Sequence, residues 1–248
     1  MAKLYKGSNA LRNKKYKYII LSSVMILLSA AIWSITAVYF YKNGILNFTY
    51  ILCSSLTTGF AAVITHISKR QIKIIHSGIT GEKAAKQLVR CLSDDYRIIT
   101  NARITYNGKT SETDMIVVGT NGVFIIEVKN HNQKITGNAQ SHNWTQFKTG
   151  RGGGKYSKQF YNPIKQVSTH IYRLANILRK SGFNIWVQGI VYFSNPTAQV
   201  SVENMPEDIP IITANRGGLK KLAEYITAFN SGKTLSAKDI NEMVKIIK

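Results

Sequence analysis

The sequence predicts an α/β domain tethered to a membrane by a helical hairpin. Three observations carry this: two long uncharged apolar runs near the start, an alternation of helix-period and strand-period segments from residue 78 onward, and a large basic excess in that later part. Each element follows from local chemistry.

Tyr18 to Tyr41 is a run of 24 residues without a formal charge, and Ile45 to Ile67 is another of 23. About 20 apolar residues suffice to cross a ~30 Å hydrocarbon core as a helix. Only Lys42, Asn43 and Gly44 separate the runs, which predicts a tight hairpin. Tyr16, Tyr18, Trp33, Tyr39, Tyr41 and Tyr50 include interface anchors. A signal peptide is the competing assignment for the first run, but its apolar core is usually only ~7–15 residues long. The second run is the more polar, with Ser54, Ser55, Thr57, Thr58 and His66. Lys3, Lys6, Arg12, Lys14, Lys15 and Lys17 precede the hairpin, and Lys69, Arg70 and Lys73 follow it. The positive-inside bias therefore predicts a multi-pass cell-membrane protein with both termini cytoplasmic.

Net charge is +21. Seven of the 33 basic residues lie before residue 69, which leaves 26 against all twelve carboxylates, a net of +14 for the later part. Such an excess points to a polyanionic partner, nucleic acid or anionic lipid. Cys53 and Cys91 form neither a disulfide framework nor a zinc motif, which fits a reducing compartment.

The expected division is residues 1–17 as a basic cytoplasmic N-terminus, spans at 18–41 and 45–67, a linker at 68–77, a domain at 78–200 and a C-terminal α/β extension at 201–248. Within the domain, Ile79–Leu92 reads as a helix, with Ala84, Ala85, Leu88 and Leu92 on one side. Tyr96–Thr105, Asp114–Val118 and Val123–Lys129 read as strands, with turn chemistry at Tyr106-Asn107-Gly108 and Gly119–Gly122. Asn143–Lys148 adds a short strand around Trp144. Asn162-Pro163 opens a helix to about Lys180, striped by Ile164, Val167, Ile171, Leu174 and Leu178. Ile185–Phe193 and Pro210–Thr213 read as strands, and helices near Arg216–Phe229 and Ser236–Ile247 close the chain.

The informative segment runs from Asp114 to Lys129. Side chains alternate faces along a strand, so Glu127 and Lys129 share one face. If Thr120-Asn121 is the turn, Asp114 sits opposite Glu127. If the favoured Asn121-Gly122 pair is the turn, Asp114 sits opposite Lys129. Either register puts all three on one face; a three-residue loop without a bulge would not. Two neighbouring carboxylates resist joint ionisation, and a hard divalent cation relieves them. Such a cation polarises phosphoryl oxygens and activates water.

These residues resemble the D…(D/E)-x-K signature of restriction-endonuclease-like nucleases, and more finely the nuclease-related domain, NERD. The correspondence runs through Gly81-Glu82, Asp114, the Gly122–Asn130 strand, Trp144 and Asn162-Pro163-Ile164-Lys165-Gln166, and covers roughly residues 78–195. The resemblance implies an αβββαβ core with a mixed sheet. It implies Asp114, Glu127 and the Val128 carbonyl as ligands of Mg²⁺ or Mn²⁺, Lys129 as the catalytic lysine, Glu82 reaching the site from the first helix as a further metal ligand, directly or through water, and Gln166 facing site or nucleic acid. Related nucleases carry Gln-x-x-x-Tyr on that helix; here the fourth residue on is His170.

Between Glu127 and Glu203 there is no carboxylate, but there are ten Lys and Arg, interleaved with aromatics. Trp144, Arg151, Lys155, Lys158, His170 and Arg173 are accordingly expected to contact nucleic acid. Arg151–Lys155 lacks the Gly-Lys-Ser/Thr ending of a nucleotide P-loop. The expected activity is metal-dependent hydrolysis of DNA phosphodiesters, DNA being favoured over RNA, at the cytoplasmic membrane face. The alternatives are a catalytically silent, membrane-tethered nucleic-acid-binding module and a lipid-facing regulator. No protein partner is implied.

Overall fold

The computed structural model describes residues 1–6, 10–150 and 152–248; the side chains of 6, 10–12, 73–82 and 216 are not described. Two compact units emerge, Asn9–Gly78 and a second made of Met1–Ser8 with Ile79–Lys248.

The first unit is a helical hairpin. Helix α1 spans Ala10–Asn43 and α2 spans Phe48–Cys91. Segments Asn13–Asn43 and Phe48–Ile72 are long and apolar enough to cross a membrane. Most of their apolar side chains, such as Ile20, Leu27, Val38, Phe60 and Val63, are exposed, so no protein core accounts for them. The turn is Gly44–Asn47 rather than the expected Lys42–Gly44, because α1 continues through Asn43. Gly44 takes a φ of 66°, and the Asn47 side chain caps α2 by accepting from Thr49 N at 2.9 Å. Of the second span's polar residues, Ser54 and Thr58 face the first. Thr58 Oγ1 accepts from Trp33 Nε1 at 2.9 Å and lies 3.0 Å from Ser29 Oγ. Thr36 and Ser54 hydroxyls meet at 2.8 Å, and the Tyr39 and Tyr50 rings lie 4.6 Å apart. Small hydroxyl residues permit close approach and hydrogen bonding where lipid supplies no hydrophobic drive. The expected linker at 68–77 is part of α2, whose backbone is helical throughout.

The second unit is a mixed sheet with helices on both faces. Its strand order is β1-β2-β3-β4-β8-β10. These are β1 Lys3–Lys6, β2 Arg97–Tyr106, β3 Lys109–Gly119, β4 Gly122–Lys129, β8 Val187–Phe193 and β10 Ile211–Thr213. β2, β3 and β4 form an antiparallel meander; β1, β8 and β10 each run parallel to their neighbour. Alternation sorts the two faces. Met115, Val117, Phe124 and Ile126 pack against Leu88 and Leu92 of α2 and against Leu222 and Ile226 of α4 (Gly218–Ala228). Ile116, Val118, Val123 and Ile125 pack against Leu174 and Leu178 of α3 (Pro163–Lys180) and against Met243 and Val244 of α5 (Ala237–Ile247). The expected helix, three strands, helix, strand core is thus present.

A second sheet has the order β7-β6-β5-β9, from β5 Lys134–Asn138, β6 Asn143–Thr149, β7 Lys155–Tyr161 and β9 Gln199–Glu203. Of these, only β6 is expected from the sequence. Its core joins Ile135 and Trp144 to Ile164, Val167, Val191 and Phe193. Two glycines allow this packing: a Cβ at Gly137 would fall 2.4 Å from the Trp144 ring, and one at Gly189 would fall 2.3 Å from Val167 Cγ1.

Two expected boundaries change. Residues 201–248 are not a separate extension, because β10 hydrogen-bonds to β8 and α4 and α5 cover the two faces of the main sheet. Residues 1–17 are not simply a basic tail, because β1 extends that sheet at β2. Ala2 is buried, Ala2 N donates to Leu92 O at 3.1 Å, and Lys3 N donates to Tyr96 O at 3.0 Å.

Candidate active site

The β3–β4 hairpin decides the site's geometry. Gly119 pairs with Gly122 and Met115 with Ile126, so Thr120-Asn121 is the two-residue turn. The preferred Asn-Gly turn is not used, for a tertiary reason. Asn121 donates to Ile226 O at 2.6 Å and Phe229 O at 2.9 Å, and accepts from the Tyr96 hydroxyl at 3.0 Å. This register puts Asp114 opposite Glu127, one step past the last paired residues. The β2–β3 ladder also skips its Asn101–Asp114 position, where Asn101 takes a φ of 52°. Asp114 Oδ2 instead accepts from Val128 N at 2.8 Å, satisfying a backbone donor that β3 no longer reaches. Beyond that point β4 is held by β8, with Glu127 beside Val191 and Lys129 beside Phe193.

Lys129 Nζ donates to Glu127 Oε1 at 2.7 Å and to Gln166 Oε1 at 2.9 Å. Gln166 lies in the first turn of α3. That turn is fixed by Asn162, whose Oδ1 accepts from Ile164 N at 2.9 Å while its Nδ2 donates to Ala139 O at 2.8 Å and Ser141 O at 2.7 Å. The Asn-Pro pair therefore pins α3 to the connection between β5 and β6. One turn after Gln166, His170 turns its Nε2 toward Glu127 Oε2 at 3.7 Å, and its Nδ1 lies 3.1 Å from Ser111 Oγ. Among the described residues, Glu127 Oε2 and His170 Nε2 are both buried without a hydrogen-bond partner.

Electrostatics follow from this burial. The Glu127 carboxyl is pushed up to about 8, first by desolvation and then by the neighbouring Asp114 carboxylate, against the pull of Lys129. Asp114 is also raised, chiefly by burial, with the Val128 N–H and Lys129 opposing. His170 is pushed down to about 4 by burial and by the charges of Arg173 and Lys129, so it is neutral at pH 7. His131, two residues beyond Lys129, is pushed down to about 4 by burial and then by Lys129, Lys148 and Lys158.

The sequence-predicted residues thus sort into four groups. Asp114, Glu127, Val128, Lys129 and Gln166 converge. Lys155 and Lys158 are exposed on β7, and Arg173 lies on α3 near His170. Two expectations are corrected. Trp144 is fully buried, with Nε1 donating to Asn138 O at 3.0 Å, and has no free face for a base. His170 is buried against Glu127 instead of lying on an outer surface, so it belongs to the carboxylate site. Its spacing of four from Gln166 puts both on one helix face, a signal already in the sequence. Ser111 and His131 went unforeseen. Ser111 is three residues from Asp114, so simple alternation puts it on the opposite face. The Glu82 side chain and Arg151 lie outside the described residues.

Among the described residues no three His, Cys, Asp or Glu side chains are grouped closely enough to hold a metal by themselves. Two carboxylates with carbonyl, water and substrate oxygens are nonetheless a sufficient set for Mg²⁺. The bare, buried Glu127 Oε2 beside a second carboxylate is what such a cation would satisfy.

An uncharacterized protein of Bacillus anthracis is 31% identical over 129 residues, 51% of this chain and 56% of its own length. The chain thus spans little more than half of that relative. No solved structure matches the chain. Residues 77–194, which contain the opposed carboxylates, Lys129 and Gln166, match the NERD family, and over that stretch the chain carries a nuclease-related domain.

Proposed function

We propose that this protein is a membrane-anchored, divalent-metal-dependent nuclease that hydrolyses DNA phosphodiester bonds at the cytoplasmic membrane face. The observation that carries the reading is the convergence of Asp114 and Glu127 from facing strands, with Lys129 held between Glu127 Oε1 and Gln166 Oε1. Asp114, Glu127 and the Val128 carbonyl would hold Mg²⁺ or Mn²⁺. The bound ion supplies Lewis acidity toward a phosphoryl oxygen and lowers the pKa of a water. Lys129 orients the attacking water and faces the negative charge that develops on the phosphoryl group. Gln166 fixes the lysine's direction. The neutral His170, steadied at Ser111, packs beside Glu127 Oε2 at 3.7 Å without adding a competing charge.

The basic interval from Lys129 to Lys180 supports a nucleic-acid substrate. The pairing of β1 with β2 supports the anchor's topology. A chain whose first residues join the same sheet as residue 97 onward must return to the side on which it began, which two spans accomplish. The basic flanks favour the cytoplasmic side. The test is cleavage of defined single- and double-stranded DNA by the full chain in detergent with Mg²⁺ or Mn²⁺. Cleavage lost in Lys129→Ala is expected; equal, negligible cleavage by both proteins across substrates and metals would overturn the reading.

A further inference from the structure

A groove of about 690 Å³ opens on the second sheet, lined among others by Lys134, Phe147, Thr149, Lys155, Tyr156 and Gln199, and among the described residues no carboxylate lines it. Phe147 is 43% exposed and Tyr156 54% exposed, although both sit on regular strands. β6 and β7 stay paired along this stretch, with Phe147 beside Ser157, Lys148 beside Tyr156 and Thr149 beside Lys155. Register thus fixes Phe147, with Lys134, on one face of this sheet and Tyr156, with Lys148, on the other, so the two rings border the groove from opposite faces. The Lys134 ammonium lies 5.9 Å from the Phe147 ring centroid, so cation and ring share one wall.

Apolar flat faces interleaved with cations, and with no acid, match a ligand that is polyanionic and carries flat apolar groups at intervals. A nucleic acid does so only where its bases are unpaired, because in a duplex the bases cover one another's faces. The groove also lies within reach of the carboxylate site. Gln133, on its wall, is four residues from Lys129, at most about 14 Å along the chain. At ~3.4 Å per stacked nucleotide, that gap is about four nucleotides. Lys148 and Lys158, which bear on His131, continue the positive charge between the two places.

We propose that this groove binds an unpaired nucleic-acid strand beside the scissile phosphate, with Phe147 and Tyr156 as base-stacking platforms and Lys134 and Lys155 as phosphate partners. The proposal rests on the nuclease reading for the ligand's identity. It makes an unpaired flank, and not a continuous duplex, the preferred substrate.

The test is fluorescence anisotropy with the full chain in nanodiscs of zwitterionic lipid, in EDTA so that no cleavage occurs. The probes are a labelled unstructured 12-nucleotide strand and a 12-base-pair blunt duplex. Phe147→Ala and Tyr156→Ala should each weaken binding of the single strand by about 5- to 150-fold, the usual effect of losing one stacked base. Duplex affinity should change by less than about twofold, and Phe147→Trp should retain single-strand affinity, which excludes misfolding as the cause. The groove assignment is overturned if the alanine variants bind the strand as wild type does, if strand and duplex weaken equally, or if the wild type binds neither. Strand binding with this aromatic dependence, in a protein that then fails to cleave with Mg²⁺ or Mn²⁺, keeps the groove and removes the nuclease reading.

Discussion

Glu127 should destabilise the metal-free protein, and replacing it should show by how much. Its carboxyl is nearly enclosed, faces Asp114 and is pushed from its ordinary 4.5 up to about 8. The sign follows from proton linkage. Below pH 4.5 the group is neutral in folded and unfolded chains, and no penalty exists. As pH rises from 4.5 to 8 the unfolded chain ionises first, so the folded state loses stability across that window; above pH 8 the penalty is constant. The displacement corresponds to on the order of 5 kcal/mol. For a unit of this size 1 kcal/mol moves Tm by about 2–4 °C. Glu127→Gln keeps an acceptor for Lys129 but cannot ionise. In EDTA at pH 9 it should therefore melt on the order of 10 °C above wild type, and near pH 4 the two should coincide. The assay is thermal melting of the full chain in detergent, followed by near-ultraviolet circular dichroism, which reports the fully buried Trp144. Added Mn²⁺ should raise the wild type alone, by about 2.7 kcal/mol at a hundredfold excess over Kd. A Glu127→Gln protein that melts below wild type at pH 9, or a gap that is the same at pH 4 and pH 9, would refute the reasoning.

Other perturbations separate structural from functional roles. Trp144→Ala should cost about 3–5 kcal/mol of stability, as large aromatic truncations in cores do, and urea melts would measure it; a selective loss of DNA affinity with stability intact would contradict its core assignment. Deleting residues 1–6 removes β1 and bares the edge of β2, so amides of residues 97–100 should exchange with deuterium faster than in wild type. Thr58→Val removes the acceptor shared by Trp33 and Ser29, and should weaken the hairpin by about 0.6–1.7 kcal/mol in a steric-trapping measurement in bicelles.

Much of the site was legible because its geometry is local. Strand alternation puts Glu127 and Lys129 on one face, and a helix spacing of four joins Gln166 to His170. The hairpin register was not legible, because Asn121 is held by the end of α4, more than 100 residues away in sequence. Turn preference alone would have put Asp114 across from Lys129. β7, which reads Lys-Tyr-Ser-Lys-Gln-Phe-Tyr, is exposed at nearly every position and so shows no alternation to detect. β1 is only four residues long, and nothing local reveals that it pairs with a strand more than 90 residues away. Trp144 sits among uncharged polar residues in sequence yet is buried, because Gly137 leaves room for its ring. Ser54 and Thr58 read as breaks in the second span's apolarity, and they are its hydrogen-bonding contact with the first.

The most direct test of the central claim is the single-turnover rate of DNA cleavage in saturating Mg²⁺ or Mn²⁺, compared among wild type, Lys129→Ala and Asp114→Ala, each also in EDTA. The account predicts measurable cleavage by wild type, a fall of about 10²–10³-fold or more in both variants, and none in EDTA. Cleavage that persists at wild-type rate in Lys129→Ala, or that EDTA leaves unchanged, would contradict it.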